Sequence, residues 1–322
     1  MTNNKKISNL NSQISSKACR DAFGEALLEL GKKNKKIVAV SADLAESTRC
    51  LDFGKKYPKR FFEVGVAEQN MAGVATGLAL DGFIPFMCSF AVFSPGRNWE
   101  QIRVSICYNN ANVKIVSSHA GLNVGPDGAT HQALEDLAIM RVLPNMTVIA
   151  PSDYLETKKA VRAAAKIKGP VYIRYGRAKS PVFTDTQKSF KIGQAEVLKK
   201  GKDVTIIACG LMVYEALMAA ENLAKNKIKA EVINCHTIKP IDKKTIIASA
   251  KKTNKIVTIE EHQVNGGLGS AIAEVLTQNY PVPLEVIGMP DSFGESGSAD
   301  RLLNKYKINY QEIIKRVNKL LK

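Results

Sequence analysis

The chain has 322 residues, 45% of them hydrophobic and 24% charged, with 22 Gly and 12 Pro. This length favours two domains, and the composition excludes collagen-like, disordered and disulfide-scaffold proteins. Lys and Arg outnumber Asp and Glu by 46 to 30, which gives a net charge of +16. The lysines are spread along the whole chain without interleaved aromatic residues, so we interpret them as solvated surface and expect no nucleic-acid partner.

The six cysteines are scattered, without a Cys-x-x-Cys pair or a metal-type Cys/His spacing. This pattern predicts free thiols in a reducing compartment and no metal site in this chain. The N-terminal segment 1–17 is polar and lacks the apolar core of a secretory signal. The most apolar stretch, 71–88, is interrupted by Asp81 and Pro85. We therefore expect a cytoplasmic protein with no membrane partner.

In the first half of the chain, short apolar runs alternate with longer amphipathic segments. The runs that predict strands are 37–40, 83–87, 113–117, 146–149 and 171–173. The segments that predict helices between them are 18–30, 68–80 and 154–166. Alternation of this kind indicates a parallel sheet covered by helices on both faces.

Residues 177–192 break this pattern with Pro, Thr, Asp, Lys and Ser, which is typical of a linker. Strand-like runs then resume at 204–208, 230–233, 256–259 and 284–287, and the chain ends in a basic helix over 310–322. The fold class predicted is therefore α/β, with two parallel-type domains at 1–180 and 190–322.

The predicted helix 68–80 is apolar nearly all round and carries Gly73-x-x-x-Gly77. We interpret it as a fully buried helix whose glycines allow close approach to a neighbour. Glu68 begins this helix, where an acidic side chain can simply be a cap. Partial burial would instead raise its pKa and let it share a proton with a ligand nitrogen. Phe90 and Phe93, after the next strand, are either core residues or the walls of a site for a flat ring.

The Gly-rich loop 118–131 contains His119, Asp127 and His131. It follows a predicted strand and precedes a helix, so it lies at the carboxyl end of a parallel sheet, where open α/β folds bind ligands. The alternative is a solvated loop whose histidines cap the next helix. The turn 266–271 (GGLGSA) does not complete a dinucleotide fingerprint, and we expect a tight strand-to-helix turn there.

With these residues, the chain resembles the C-terminal half of a transketolase made as a separate polypeptide: a pyrimidine-binding domain followed by a small C-terminal domain. The segments that carry the resemblance are 41–47 (SADLAES), 64–71 (VGVAEQNM), 89–93 (SFAVF), the loop from His119 to His131, and 169–174 (GPVYIR). Together they are specific, whereas any one alone is not.

The resemblance implies a thiamine diphosphate site. Glu68 matches the glutamate that contacts the N1′ nitrogen of the aminopyrimidine and promotes loss of the thiazolium C2 proton. Phe90 and Phe93 match the aromatic pocket around that ring. Asp43 matches an acidic residue near the cofactor.

The resemblance also implies a sugar-phosphate site. His119, Asp127 and His131 match groups that bind sugar hydroxyls, and the two histidines count with Glu68 as catalytic. The residues that match the phosphate-binding mouth of the site are Arg20, Ser47 and Arg174. The implied reaction transfers a two-carbon ketol unit from a ketose phosphate to an aldose phosphate, as in the pentose phosphate pathway.

Two departures from the family pattern stand out. Gly96, next to Arg97, replaces the third aromatic residue of the ring pocket. The G-D-G…N motif that holds Mg²⁺ and the cofactor diphosphate is missing, and 125–128 (GPDG) is no substitute because it belongs to the sugar loop. The resemblance therefore implies an N-terminal partner subunit that carries Mg²⁺, in a heterotetramer with two copies of each chain.

Four alternatives remain open. Ala67-Glu68-Gln69 and Arg174-Tyr175 also resemble deoxyxylulose-phosphate synthase, and the length matches the β subunit of 2-oxo-acid dehydrogenase E1. The latter usually lacks a D-G-x-T-H loop. A non-catalytic scaffold subunit and a basic nucleic-acid-binding protein are the non-enzyme alternatives.

Overall fold

The computed structural model describes residues 15–322, so part of the polar segment 1–17 lies outside the described residues. The strands of the first domain are β1 (Ser16–Ala18), β2 (Ile37–Ser41), β3 (Phe61–Glu63), β4 (Ile84–Phe90), β5 (Lys114–Ser118), β6 (Thr147–Ile149), β7 (Val171–Arg174) and β8 (Lys179–Pro181). Strands β2 to β7 form a parallel sheet in the order β6-β7-β5-β4-β2-β3. Strands β1 and β8 pair separately and antiparallel.

Helices cover both faces of this sheet, as the strand–helix alternation predicts. They are α1 (Cys19–Lys33), α2 (Ala45–Thr48), α3 (Leu51–Lys56), α4 (Glu68–Leu80), α5 (Trp99–Gln101), α6 (Asp136–Arg141) and α7 (Tyr154–Ala164). Short 3-10 segments lie at Pro58–Arg60 and Leu122–Asp127, and a π-helical turn at Ile102–Tyr108. Apolar residues of α1 and α7 form one core, while α4 and the π-helical turn pack into another.

The second domain repeats the α/β arrangement on a smaller scale. Its strands are β9 (Glu196–Lys199), β10 (Val204–Ala208), β11 (Ala230–Asn234), β12 (Thr237–Lys239), β13 (Ile256–Gln263) and β14 (Leu284–Met289). Its helices are α8 (Met212–Lys225), α9 (Lys243–Thr253), α10 (Leu268–Asn279), α11 (Ala299–Lys305) and α12 (Tyr310–Leu321). The sheet order is β14-β13-β10-β11-β9, parallel except for β9.

The two domains share structure that the sequence did not reveal. Strand β12 leaves the second domain and pairs antiparallel with β6, so it forms the edge of the first sheet. In return, Leu122 and Leu134 of the first domain are buried in the core of the second. A three-residue strand is too short to show periodicity, and periodicity does not identify the sheet that a strand joins.

Helix α4 has the predicted bounds, but the expectation that it is fully buried is wrong. Met71, Ala72 and Ala75 are buried in the core, whereas a Cβ atom on Gly73 or Gly77 would have no neighbouring atom within 4 Å. The glycines therefore lie on an open face of the helix. Across residues 15–322, no helix combines the length and the apolar character needed to cross a membrane.

The cysteines and the Gly-rich turn have the arrangement that the sequence predicts. All six cysteines are buried and free. Residues 266–271 lead from β13 into the first turn of α10, which begins at Leu268, and a Cβ atom on Gly267 would lie 2.1 Å from Glu260 Oε2. The glycine is thus required by close packing of the strand-to-helix turn.

Candidate active site

Side chains from three elements meet at the carboxyl edge of the first sheet. Phe90 ends β4, His119 directly follows β5, and Glu68 begins α4. Strands β4 and β5 are adjacent, with Phe90 paired to Ser118, so Phe90 and His119 leave the sheet side by side. Ligands of open α/β sheets bind at this edge.

Four rings form a cluster, which we call the ring cluster: Phe90, Phe93, His119 and His131. The ring centroids of Phe90 and His119 are 3.8 Å apart and nearly parallel, and Phe93 is stacked at 6.0 Å from Phe90. His131 meets Phe93 edge-on at 5.3 Å. Histidines that are 12 positions apart in the sequence are therefore joined through phenylalanine faces, which excludes a purely solvated loop.

Glu68 is connected to the ring cluster through Arg97. Only 4% of the Glu68 side chain is exposed, and Arg97 Nη1 lies 3.0 Å from its Oε1 atom. The same guanidinium lies over the ring of Phe93, 4.0 Å from the centroid. A Cβ atom on Gly96 would lie only 2.0 Å from the Val92 carbonyl oxygen. The turn therefore excludes the third aromatic residue of the family pattern, and Arg97 covers this wall of the pocket.

The contacts of Arg97 indicate that a thiamine ring fits this pocket. Its guanidinium is a flat, nitrogen-bearing group that lies on the ring of Phe93 and donates to the buried carboxylate of Glu68. An aminopyrimidine ring can make the same two contacts, so the residues present fit that end of the cofactor. By contrast, residues 15–322 contain no group of three His, Cys, Asp or Glu side chains that could hold a metal ion.

His119 is held as a neutral ring. Its Nδ1 atom lies 2.8 Å from the Ser118 hydroxyl, and its backbone adopts a positive φ of 57°. Burial, together with the positive charges of Arg20 and Arg177, lowers its pKa to about 3. A neutral imidazole keeps one donor and one acceptor nitrogen, which suits hydrogen bonding to a sugar hydroxyl.

Basic side chains converge beside the ring cluster. Arg177 Nη1 lies 3.7 Å from Asp127 Oδ1 and donates to the Val124 carbonyl at 2.9 Å. Arg20 donates to the Ser47 carbonyl at 3.4 Å. Burial and repulsion from the neighbouring cations lower the pKa of Arg20. Guanidinium groups that lie this close to one another provide a binding place for an anion.

Arg174 does not lie at this mouth, and the sequence-based placement is corrected here. Its side chain is 6% exposed and lies 2.8 Å from Asp136 Oδ2, and it donates to the Glu261 carbonyl at 3.0 Å. It therefore joins the two domains in the interior. Arg177, three residues beyond the end of β7, has the position expected of Arg174. Its place past the carboxyl end of a strand is the signal that could have identified it.

Asp43 lies beyond the end of β2 on the same edge of the sheet. Its side chain is exposed, its φ is 60°, and its backbone N–H donates to Glu63 Oε1 at 2.7 Å. The structure thus brings Glu68 and the four rings together. It places Asp43 on the loop after β2, Arg20 at the start of α1, Ser47 in α2 and Asp127 at the end of the 3-10 segment Leu122–Asp127.

Two family models match the chain: transketolase, pyrimidine binding domain, over residues 15–182, and transketolase, C-terminal domain, over residues 193–313. A chain of Methanocaldococcus jannaschii, provisionally named a transketolase C-terminal section, is 48% identical over 309 residues, which cover 95% of this chain and 97% of that one. The 6-deoxy-6-sulfo-D-fructose transketolase subunit SqwH of Clostridium sp. is 44% identical over 301 residues, 94% of each chain.

Among solved structures, a split-gene transketolase described as an inactive beta4 tetramer is 50% identical, with a TM-score of 0.89 and coverage of 94% of this chain and 98% of that one. The fold and the ring pocket define the class: a pyrimidine-binding chain of the thiamine diphosphate enzymes. More particularly, the chain belongs to the transketolase family and corresponds to the C-terminal half of a split transketolase.

Proposed function

We propose that this chain is the C-terminal subunit of a two-chain transketolase that transfers a two-carbon ketol unit from a ketose phosphate to an aldose phosphate. The observation that carries the proposal is the arrangement around Arg97, which lies on Phe93 and donates to the buried Glu68. A flat nitrogen heterocycle has the same contacts available, within reach of the two histidines of the ring cluster.

When bound, thiamine diphosphate supplies the carbon nucleophile and the electron sink that ketol transfer needs. Glu68 would hold the N1′ nitrogen of the pyrimidine by sharing a proton with it. Phe90 and Phe93 exclude water from the ring faces, which strengthens that hydrogen bond. His119 and His131 orient the hydroxyl groups of donor and acceptor sugars and exchange protons with them.

The basic residues beside the ring cluster give the substrate its orientation. Arg20 and Arg177, with Ser47 next to Arg20, bind the charged end of the sugar, while Asp127 binds one of its hydroxyl groups. The sulfonated sugar in the name of the Clostridium relative has a terminal anion too, which supports recognition of a charged end group in this family. We therefore assign sugar phosphates, and alternatively sugar sulfonates, as substrates.

A partner chain completes the site in this proposal. The described residues offer Mg²⁺ no cluster of acidic ligands, and a diphosphate needs such a metal or several cations. Next to Glu68, the open face of α4 includes Gly73 and Gly77, with Val66 68% and Leu80 67% exposed at its ends. We assign this face to an N-terminal partner subunit that holds Mg²⁺ and the diphosphate, in a cytoplasmic heterotetramer.

The first test is to purify the chain from its native cell by an affinity tag and to sequence what accompanies it. We expect a second chain that carries G-D-G…N, in nearly equal amount. Recovery of this chain alone, or with nucleic acid, would contradict the two-chain proposal. Co-purification with a lipoyl-bearing enzyme of a 2-oxo-acid dehydrogenase complex would instead favour the E1 alternative.

A further inference from the structure

The loop that carries the proposed sugar-binding groups is embedded in the second domain. We call residues 119–131 the substrate loop. Leu122, within it, is completely buried and belongs to the core of the second domain. Farther along, Gln132 donates from its side chain to the Glu295 carbonyl at 3.0 Å. The position of the loop therefore depends on a domain that contributes no side chain to the ring cluster.

Glu261, near the end of β13, makes the central contact. The backbone N–H of Asn123 donates to Glu261 Oε1. A Cβ atom on Gly121 would lie 2.6 Å from the Glu261 carboxyl group, and Gly121 has a φ of +77°. The loop backbone therefore approaches this carboxyl group as closely as glycine allows. Asn123 in turn accepts from Ala178 N at 2.6 Å with its side chain, which ties the loop to the segment after β7.

A second contact holds the far end of the loop. Gly128 has a φ of +74°, and a Cβ atom there would lie 2.6 Å from Ser296 Oγ. The histidines of the ring cluster lie at or next to the ends of the stretch held by these two contacts. His119 precedes Gly121 by two residues, and His131 donates from its backbone to the Gly128 carbonyl at 3.0 Å. A shift of the loop would therefore move both rings.

Two properties of Glu261 could fix the loop: the charge of its carboxyl group and the length of its side chain, which sets the position of Oε1. Glu261 is 5% exposed, and burial raises its pKa to about 7, with Arg174 opposing the rise and Asp136 adding to it. The contact with the loop is made by one atom, since Oε1 accepts from the Asn123 N–H. We therefore expect the position of this oxygen atom to matter more than the charge of the carboxyl group.

We infer that Glu261 is a positioning residue: from the C-terminal domain, it fixes the substrate loop and thereby the places of His119 and His131. This inference rests on the proposed function for its link to sugar binding, but the contact itself does not. By this inference, the C-terminal domain contributes to the reaction by holding the substrate-binding histidines in position.

Two substitutions of Glu261 distinguish the effect of side-chain length from the effect of charge. Glu261→Asp keeps the charge and withdraws the oxygen atoms by one methylene, whereas Glu261→Gln keeps the oxygen in place and removes the charge. The matched control is Glu260→Gln, because Glu260 is equally buried on the same strand but accepts from Leu268 N and Gly269 N of α10. Glu261→Ala is the second loss-of-contact variant, should Glu261→Asp not fold.

Hydrogen exchange of residues 119–131 in the chain alone is the readout independent of activity. We expect exchange at least about tenfold faster in Glu261→Asp, and exchange within about threefold of wild type in Glu261→Gln and Glu260→Gln. In the two-chain complex, the KM for fructose 6-phosphate should rise about tenfold in Glu261→Asp, and kcat should fall as well because His119 and His131 also exchange protons with the sugars.

Unchanged exchange in Glu261→Asp and Glu261→Ala would overturn the inference, whatever the activity. Faster exchange with an unchanged KM would also overturn it, because the loop would then not position the sugar. An equal defect in Glu261→Gln would assign the effect to charge. If no variant or wild-type complex transfers ketol units, the proposed function fails, while the exchange result still decides whether Glu261 fixes the loop.

Discussion

The guanidinium of Arg97 lies between the carboxylate of Glu68, at 3.0 Å, and the ring of Phe93, at 4.0 Å from the centroid. Both contacts belong to groups that we assign to the aminopyrimidine ring. Arg97 must therefore move when thiamine diphosphate binds, and the contacts that it loses oppose binding. A half-exposed side chain can make this movement without disturbing the core.

We expect Arg97→Met to tighten binding of thiamine diphosphate to the two-chain complex about threefold or more, since a cation–π contact contributes about 0.5–1 kcal/mol at exposed sites. The apparent Kd is measured by calorimetry with Mg²⁺ present. Arg103→Met, at an exposed position of the π-helical turn, is the control and should leave the Kd unchanged. Weaker binding in Arg97→Met would show that Arg97 holds the bound cofactor instead.

Glu68→Gln tests the proton assignment. The amide is of similar size but cannot hold a proton at N1′, so turnover should fall about 100-fold or more, with assembly of the two chains nearly unchanged. Turnover is measured under saturating substrate, and assembly by size-exclusion chromatography. Glu100→Gln, exposed on α5, serves as control. Retention of more than about a tenth of wild-type turnover in Glu68→Gln would exclude this role.

Substitutions of Arg174 and Arg177 should have opposite effects on stability and on substrate binding. Arg174→Met leaves Asp136 buried without its cation, which should lower the free energy of unfolding by about 3–5 kcal/mol. Arg177→Met removes a partly exposed cation from the site mouth, which should change stability by less than about 0.5 kcal/mol. Urea denaturation measures both.

For substrate binding we expect the reverse order: Arg177→Met should be more affected than Arg174→Met. In Arg177→Met, the KM for a sugar phosphate should rise about tenfold or more, because hydrogen bonds to charged groups contribute about 1.5–3 kcal/mol. If Arg174→Met had the larger effect on KM at full stability, the original sequence-based placement would be correct after all.

Burial of His236 should make the free energy of unfolding decrease at acidic pH. It is buried against Phe190, with 4.1 Å between ring centroids, and burial lowers its pKa from 6.5 to about 4. The folded state therefore binds fewer protons than the unfolded state between these values. The stabilisation is complete above pH 6.5 and is lost as the pH falls towards 4.

A change from pH 6.5 to pH 5 should thus lower the free energy of unfolding by up to about 2 kcal/mol through this residue, since one pKa unit corresponds to about 1.4 kcal/mol. Urea denaturation at the two pH values measures the loss. His236→Gln cannot titrate and should show a correspondingly smaller loss. Equal losses in the two proteins would exclude His236 as the source.

Much of the fold follows from local patterns in the sequence. The helix 68–80 has the expected bounds because its apolar run begins after a strand and ends before a turn at Asp81 and Gly82. Glu68, Phe90 and His119 come together as expected, because the carboxyl ends of neighbouring parallel strands share one edge.

The remaining features depend on contacts between distant parts of the chain. Arg174 and Arg177 are equally basic in sequence, and only packing shows that Asp136 holds the first in the interior. The open face of α4 could not be distinguished from a buried one, since glycine fits both. The contact of Glu261 with the substrate loop joins residues 138 positions apart, and no local pattern indicates it.

The most direct test of the proposed two-chain enzyme is reconstitution of ketol transfer from purified components. We expect transfer from fructose 6-phosphate to an aldose phosphate only when this chain, a partner with G-D-G…N, thiamine diphosphate and Mg²⁺ are all present. Omission of any one should abolish turnover. Transfer by the partner without this chain, or no transfer by a stable complex of both chains with any sugar phosphate or sugar sulfonate, would contradict it.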